Sequence, residues 1–459
     1  MASHKPTTRI DTHSSSQQWL GWGSRGDHRR IFAIALPMII SNIAAPLLGL
    51  VDTAIIGHLP ESIYLSAVAL GAMVVSFVFL LAIFLRMTTT AEAAQAFGAE
   101  DQPATERTLV HGLWLAWGLG VLLIVGGPGI IAGAWWIIQP SEELRLLASE
   151  YISIRLWAAP AALTNLVVLG VLLGRQQSKR AMVLVIFTNA VNVVGDVILI
   201  IGLGMTVAGA AWASVIAELA TALLGLAMLK PLLPAIGPLW RVQRDHLRRF
   251  ASMNRDVFIR SLLLQLCMAV MTGYAARFGA VLVAANAVLM QFLLLISLGL
   301  DGIAYAVEAL VGAARGRKNS EEIRFWMRLT LVWSCIFACL YSLTFWLAGN
   351  WIIQTLTDLP DVIAVANRYL IWLWILPLLG HWSYYFDGVY IGLGLTQAMR
   401  DTMAISALLV FVPVWLGGQA LLENNNANHG LWLALSLFLL ARGVSQYWML
   451  TRRYAVLLK

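Results

Sequence analysis

Asp52 and Asp196 are carboxylates set inside stretches that are otherwise apolar, and a charge carried into hydrocarbon needs a partner or a task. Asp52 stands five residues before Gly57 in LLGLVDTAIIGHL, which is ~8 Å of helix rise from the end of its apolar run. Asp196 lies at a similar depth in a later run. Asn192 precedes Asp196 by one helical turn, so the two share a helix face. Ser214 reaches the same level from the opposite direction along the next run, and Tyr151 borders the group. Such a layer offers two chemistries. The oxygens of Asp52, Asn192, Asp196 and Ser214 could bind Na⁺, or the two acids could hold a proton between them, because like charge and burial both favour the protonated form. The alternative is two acids solvated separately in a wet cleft.

A second set of charges lies further along. Asp301 and Glu308 are seven residues apart on one helix face, and Arg260 enters from the preceding apolar run. Arg260 with Glu308 reads as an ion pair of structural role, since buried pairs often serve packing and orientation. Asp387 is less easily paired, and with Asp301 it is the second-half candidate for touching a cationic substrate or a second proton. Pro37 and Pro46 interrupt the run that carries Asp52. Each removes a backbone hydrogen bond, so a kink below Asp52 is expected, the alternative being prolines carried by a membrane helix that does not move.

The elements that must position these groups follow from composition. Hydrophobic residues make up 59% of the 459 and charged residues 12%, with mean hydropathy +0.76, whereas soluble domains run near about 25% charged. Apolar stretches of about 20 residues or more are long enough to cross a ~30 Å hydrocarbon core as helix. Twelve are expected, at 31–57, 64–88, 109–138, 151–173, 181–202, 207–229, 250–275, 281–312, 325–348, 366–390, 401–418 and 430–450. The net charge of +7 resides in alternate loops, at Arg25, Arg29 and Arg30, at Arg175, Lys179 and Arg180, from Lys230 to Arg249, at Arg315, Arg317 and Lys318, and at Arg452 and Arg453. By the positive-inside rule both termini and the central loop face the cytoplasm. That distribution argues against nucleic acid as a partner.

An internal repeat appears at an offset of about 217 residues, pairing Pro160 with Pro377 and, one residue further, Ala67 with Ala285, Gly170 with Gly388 and Gly174 with Gly392. Six spans return the chain to its starting side, so the two copies share an orientation. The expected fold is therefore an all-α integral membrane protein of twelve transmembrane helices in two pseudo-symmetric six-helix bundles. A polar tail (1–30) leads to the first lobe (31–229), a basic linker (230–249), the second lobe (250–450) and a short tail (451–459). Transport through a cleft between such lobes follows more naturally than catalysis.

Other signals fail. Gly21, Gly23 and Gly26 spell GxGxxG, but within the polar tail and with no strand before them. No GxxxxGK[ST] loop or HExxH pair occurs, so neither ATP hydrolysis nor a zinc site of that type is implied. His58 and His381 read as interfacial. Cys267, Cys335 and Cys339 fall inside spans, which argues against a disulfide framework. No cofactor, metal or catalytic residue is expected.

The stretches LPMIISNIAAPLLGLVDTAIIGHL, FLRMTTTAEAAQAFGAED, NAVNVVGDVILIIGLG, NRDVFIRSLLLQLC, LDGIAYAVEALVG and RYLIWLWILP together resemble the multidrug and toxic compound extrusion (MATE) transporters, in the branch called DNA-damage-inducible protein F. The likeness covers essentially the whole chain after the tail. It implies two six-helix lobes of the MATE/MOP type in a cell inner (plasma) membrane, acting as a monomer. The implied activity is export of varied small molecules, often cationic or amphipathic, driven by entry of H⁺ or Na⁺. Asp52 stands at the family's first-helix acid. Asn192, Asp196 and Ser214 match its other polar first-lobe positions, with serine where threonine is frequent, and Tyr151 fits more loosely. Pro37 matches the proline associated with bending of the first helix, and Asp387 an acid used by the branch called NorM. That branch also uses a carboxylate in the seventh helix, where 257–280 holds none. The resemblance thus favours H⁺ coupling through Asp52 and Asp196, with Na⁺ the alternative. A lipid-linked glycan flippase, which shares the architecture, is the second reading; it would need several Arg or Lys free in the cleft, and only Arg86, Arg260 and Arg155 are candidates.

Overall fold

Backbone N–H and C=O groups inside a bilayer have no water to bond, so long apolar runs must close their hydrogen bonds as helix. The chain does so almost throughout the residues that the computed structural model describes: 22–57, 59, 61–232, 244–275, 277, 279–421 and 427–458. Most of the expected polar tail, the centre of the basic linker at 233–243, and His58 lie outside the described residues.

The first half comprises α1 (Arg25–Gly57), α2 (Ser62–Leu81), α3 (Phe84–Gly98), α4 (Gln102–Val125), α5 (Gly127–Ile138), α6 (Glu142–Leu156), α7 (Ala159–Gly174), α8 (Ser178–Asp196) and α9 (Thr206–Met228). The second comprises α10 (Arg244–Ala275), α11 (Ala280–Gly316), α12 (Ser320–Leu356), α13 (Pro360–Gly392), α14 (Thr396–Ser406), α15 (Val412–Leu421) and α16 (Ala427–Arg453). Among the described residues eleven helices are long and apolar enough to cross a membrane; α2 with α3 count as one, as do α14 with α15. The pair α6 and α7, bent by 52°, makes a twelfth. The bend falls at Trp157 and Ala158, where Pro160 at the start of α7 has no N–H to donate to the carbonyl four residues back, at Leu156, and its ring crowds that carbonyl.

The repeat read from residue types reappears in the backbone. The chain enters the left-handed region at Glu100 and Lys318 (φ 55° and 56°) and at Gln176 and Gly394 (φ 59° and 65°). The members of each pair are 218 residues apart. The residue after the first pair caps the next helix in both halves: Asp101 Oδ1 accepts the Ala104 N–H at 2.9 Å, and Asn319 Oδ1 accepts the Glu322 N–H at 3.0 Å. Both fifth and eleventh spans widen into a π-helical segment, at Val197–Gly202 and Ala407–Phe411.

In the first half α8 lies against α1 and α9, and α7 against α3 and α4; in the second, α13 lies against α11, α12 and α16. The halves meet where α1 and α3 cross α11. Small residues permit that crossing, as is common where apolar lipid supplies no driving force between helices. A Cβ on Gly98 would collide with the Ala313 carbonyl, one on Gly316 with the Gln95 carbonyl, and one on Gly302 with Ile39. Gln95 Nε2 adds a hydrogen bond to Gly392 O at 3.0 Å.

Candidate functional site: a carboxyl pair and an ionic cavity

α1 runs unbroken through Pro37 and Pro46 to Gly57, and side chains serve the carbonyls near those interruptions. Ser41 Oγ donates to Pro37 O at 2.9 Å, and Asn189 Nδ2 of α8 donates to Ala44 O at 3.0 Å. Asn42 Nδ2 reaches across the halves to Leu298 O at 3.3 Å. α1 is thereby tied to α8, whose last residue is Asp196, and its own Asp52 is brought against that carboxyl.

The carboxyls of Asp52 and Asp196 lie within hydrogen-bonding reach of each other. Asp52 Oδ1 and Asp196 Oδ2 are sealed from solvent and find no donor among their surroundings. Two ionised carboxylates cannot donate to one another, so the contact is a hydrogen bond only when one of them carries a proton. Asn192, one turn before Asp196 on α8, donates from Nδ2 to Ser214 Oγ at 3.2 Å, and that hydroxyl bonds back to Ala210 O at 3.2 Å. Tyr151 is buried beside both acids. Gly71 of α2 leaves the space its ring occupies, since a Cβ there would press on the Tyr151 ring. A side chain one turn further on α6, Arg155, brings a guanidinium next to Tyr151 and near Asp52. It lies over the Phe79 ring at 5.7 Å, with its Nε and Nη1 buried and unbonded. The π-helical segment begins immediately after Asp196; such widened turns occur often where a helix serves function. All five first-half candidates thus occupy one neighbourhood.

The second-half candidates surround a cavity of about 400 Å³ between the halves, lined by Arg86, Arg260, Asp301, Glu308, Asp387 and Arg442 among apolar and aromatic neighbours. The expected Arg260 to Glu308 pair is not formed. Glu308 accepts from Arg86 Nη1 at 3.1 Å, a bond between the halves, because this stretch of α11 is the part pressed against α3. Arg260 turns instead to Asp387, which also takes Arg442 Nη2 at 2.6 Å and Gln446 Nε2 at 2.9 Å. Asp387, expected to be hard to pair, is therefore saturated. Asp301 lines the same cavity and, among the described residues, has no hydrogen-bond partner. Arg442 went unremarked in the sequence; an arginine within the apolar run LFLLARGVSQYW was the available signal. Arg86 also stacks over Tyr305 at 4.7 Å, and Ser297 and Tyr384 share a hydrogen bond at 2.7 Å on the cavity wall.

Among the described residues no group of three or more His, Cys, Asp or Glu side chains is arranged to hold a metal ion.

The MatE family model matches twice, over residues 37–198 and 257–416. The chain is 45% identical to DNA damage-inducible protein F of Escherichia coli (strain K12) over 425 residues, covering 91% of this chain and 90% of that protein. Its fold is that of crystal structures of MATE in the bent and in the straight conformation. Each has a TM-score of 0.84 at 21% identity, covering 97% of this chain and 98% and 99% of theirs. A family model that matches each half in turn, and a relative nearly half identical over nine-tenths of both chains, place this chain in the MATE family of multidrug efflux transporters.

Proposed function

We propose that the protein is a secondary active antiporter that exports varied, cationic or amphipathic small molecules in exchange for H⁺. The contact between the Asp52 and Asp196 carboxyls carries this reading, because it needs one proton to be a bond and loses it when both acids ionise. A proton arriving at the pair joins α1 to α8; its departure sets two like charges against each other. That difference lets an incoming ion bias the shape of α1, and the ion does work only in so far as it binds the inward- and outward-open states unequally. Pro37 is the residue at which α1 bends in response.

Na⁺ held by Asp52, Asn192, Asp196 and Ser214 is the second reading. Against it, Asn192 and Ser214 are bonded to each other, and the guanidinium of Arg155 already supplies a fixed cation near Asp52. A lipid-linked glycan flippase is not favoured, since Arg86, Arg260 and Arg442 each hold a carboxylate and leave no open cationic surface for pyrophosphate. Asp301, unpaired in the cavity, is the group that meets a cationic substrate. The loops rich in Arg and Lys face the cytoplasm of a bacterial inner membrane, with both termini inside. The lobes span 31–229 and 250–450 about the linker 230–249, and one chain suffices for transport.

Efflux of a fluorescent cation from proteoliposomes tests the proposal. An imposed pH gradient drives efflux, a Na⁺ gradient alone does not, and Asp52→Asn abolishes it. Efflux that follows Na⁺ at constant pH contradicts the H⁺ reading.

A further inference from the structure

A separate cavity of about 550 Å³ opens on the face that carries the basic loops, away from both sites above. Its walls come from both halves: α3 and α4 with their turn on one side, α10 and the α11 to α12 turn on the other. The acids on its wall are occupied. Asp101 caps α4 at Ala104 N and lies 3.9 Å from Arg107. Glu92 meets His246 Nε2 at 3.2 Å and accepts from Thr108 Oγ1 at 3.3 Å, while His246 Nδ1 pairs with His111 Nδ1 at 2.8 Å.

The cations are not occupied. Arg249 of α10, Arg315 at the end of α11 and Lys318 in the following turn all line the cavity. None forms an ion pair or hydrogen bond through its side chain among the described residues, and Arg249 and Arg315 lie close enough to repel each other. Two basic side chains of nearby turns do take acids, Arg317 with Glu322 at 2.6 Å and Arg400 with Asp256 at 2.7 Å. Three uncompensated cations converging on one concavity fit an anion with several acceptor oxygens. The Ser320 hydroxyl in the first turn of α12 adds a donor on the same wall, at the positive end of a helix dipole.

We propose that this cavity binds a phosphate-bearing anion, seated as the headgroup of an anionic phospholipid of the adjoining leaflet. Basic pockets between membrane helices at the positively charged face recognise such headgroups. Arg249, Arg315, Lys318 and Ser320 all belong to the second half, so the bound phosphate draws the start of α10 and the α11 to α12 turn together on this face. The inference stands on these side chains and not on the coupling ion.

Native mass spectrometry and thermal melting of the delipidated full chain test it, with phosphatidylglycerol, phosphatidylcholine and inorganic pyrophosphate added separately. Phosphatidylglycerol binds and raises the melting temperature; phosphatidylcholine does not. At about fivefold per cation, the triple variant Arg249→Gln, Arg315→Gln, Lys318→Gln binds on the order of 100-fold more weakly. The charge-keeping variant Arg249→Lys, Arg315→Lys retains binding, which separates loss of charge from loss of fold. Stabilisation by pyrophosphate alone, lost in the triple variant, assigns the same phosphate chemistry to a soluble anion. Equal binding of the two lipids, or of phosphatidylglycerol by parent and triple variant, overturns the proposal.

Discussion

Replacing Asp52 by Asn keeps the side chain's size but substitutes an amide that donates to Asp196 permanently, so the pair can no longer gain and lose a proton. Transport falls by at least about 100-fold, as removal of a positioned proton acceptor does, while expression and melting temperature stay near those of the parent. The acids of the cavity divide differently. Asp387→Ala leaves the buried Arg260 and Arg442 without their shared counter-charge and destabilises the protein by about 3–5 kcal/mol. Asp301→Asn removes a group with no hydrogen-bond partner among the described residues, so melting is unchanged and only affinity for a cationic substrate drops. Equal destabilisation by the two changes would contradict this division. Asp52, Asn192, Asp196 and Ser214 were legible in the sequence because a polar residue stands out in an apolar run and helical spacing gives its face and depth. The partner of Glu308 was not, because spacing along one helix says nothing of which helix from the other half lies opposite. Arg86 and Arg260 sit in different spans, and only the crossing of α3 and α11 decides between them.

At the scale of the element, glycine and proline carry the sharpest expectations. Gly98→Ala drives a Cβ into the Ala313 backbone, forcing α3 from α11 and costing about 1–3 kcal/mol. Gly118→Ala on α4 meets nothing within 4 Å and leaves stability equal or higher, since alanine is the better helix former. Comparing the two melting temperatures checks the α3 to α11 contact as the tight seam between the halves. Pro37→Ala restores a backbone donor inside α1; the chain folds and keeps the Asp52 to Asp196 contact, yet efflux slows by about tenfold or more if bending of α1 at Pro37 is part of transport. Unchanged efflux would remove bending from the mechanism. The helices themselves were readable from apolar length, whereas the break in the fourth span beside Pro160 was not, because that proline was read only as a mark of the repeat. The division of the second span into α2 and α3 and the π-helical turns after Asp196 and Ser406 had no comparable signal. A widened turn is set by what packs on either side of a helix, and residue type alone does not record it.

For the whole molecule, the correspondence between halves is carried by backbone geometry as well as by residue type. Left-handed turns and helix caps recur 218 residues apart, at Glu100 with Asp101 and Lys318 with Asn319, in line with the offset read from weak residue matches. Their chemistry has diverged. The first half holds two acids against each other; the second holds its acids against arginines and spares Asp301. A TM-score of 0.84 to MATE structures in both the bent and the straight conformation shows the fold. The account rests on one proton shared between Asp52 and Asp196. Infrared spectroscopy of the reconstituted protein near neutral pH reads it most directly, through the C=O stretch of a protonated carboxyl. The account predicts a band that disappears in Asp52→Asn and equally in Asp196→Asn; a band that survives both substitutions unchanged, or differs between neither variant and parent, would contradict it.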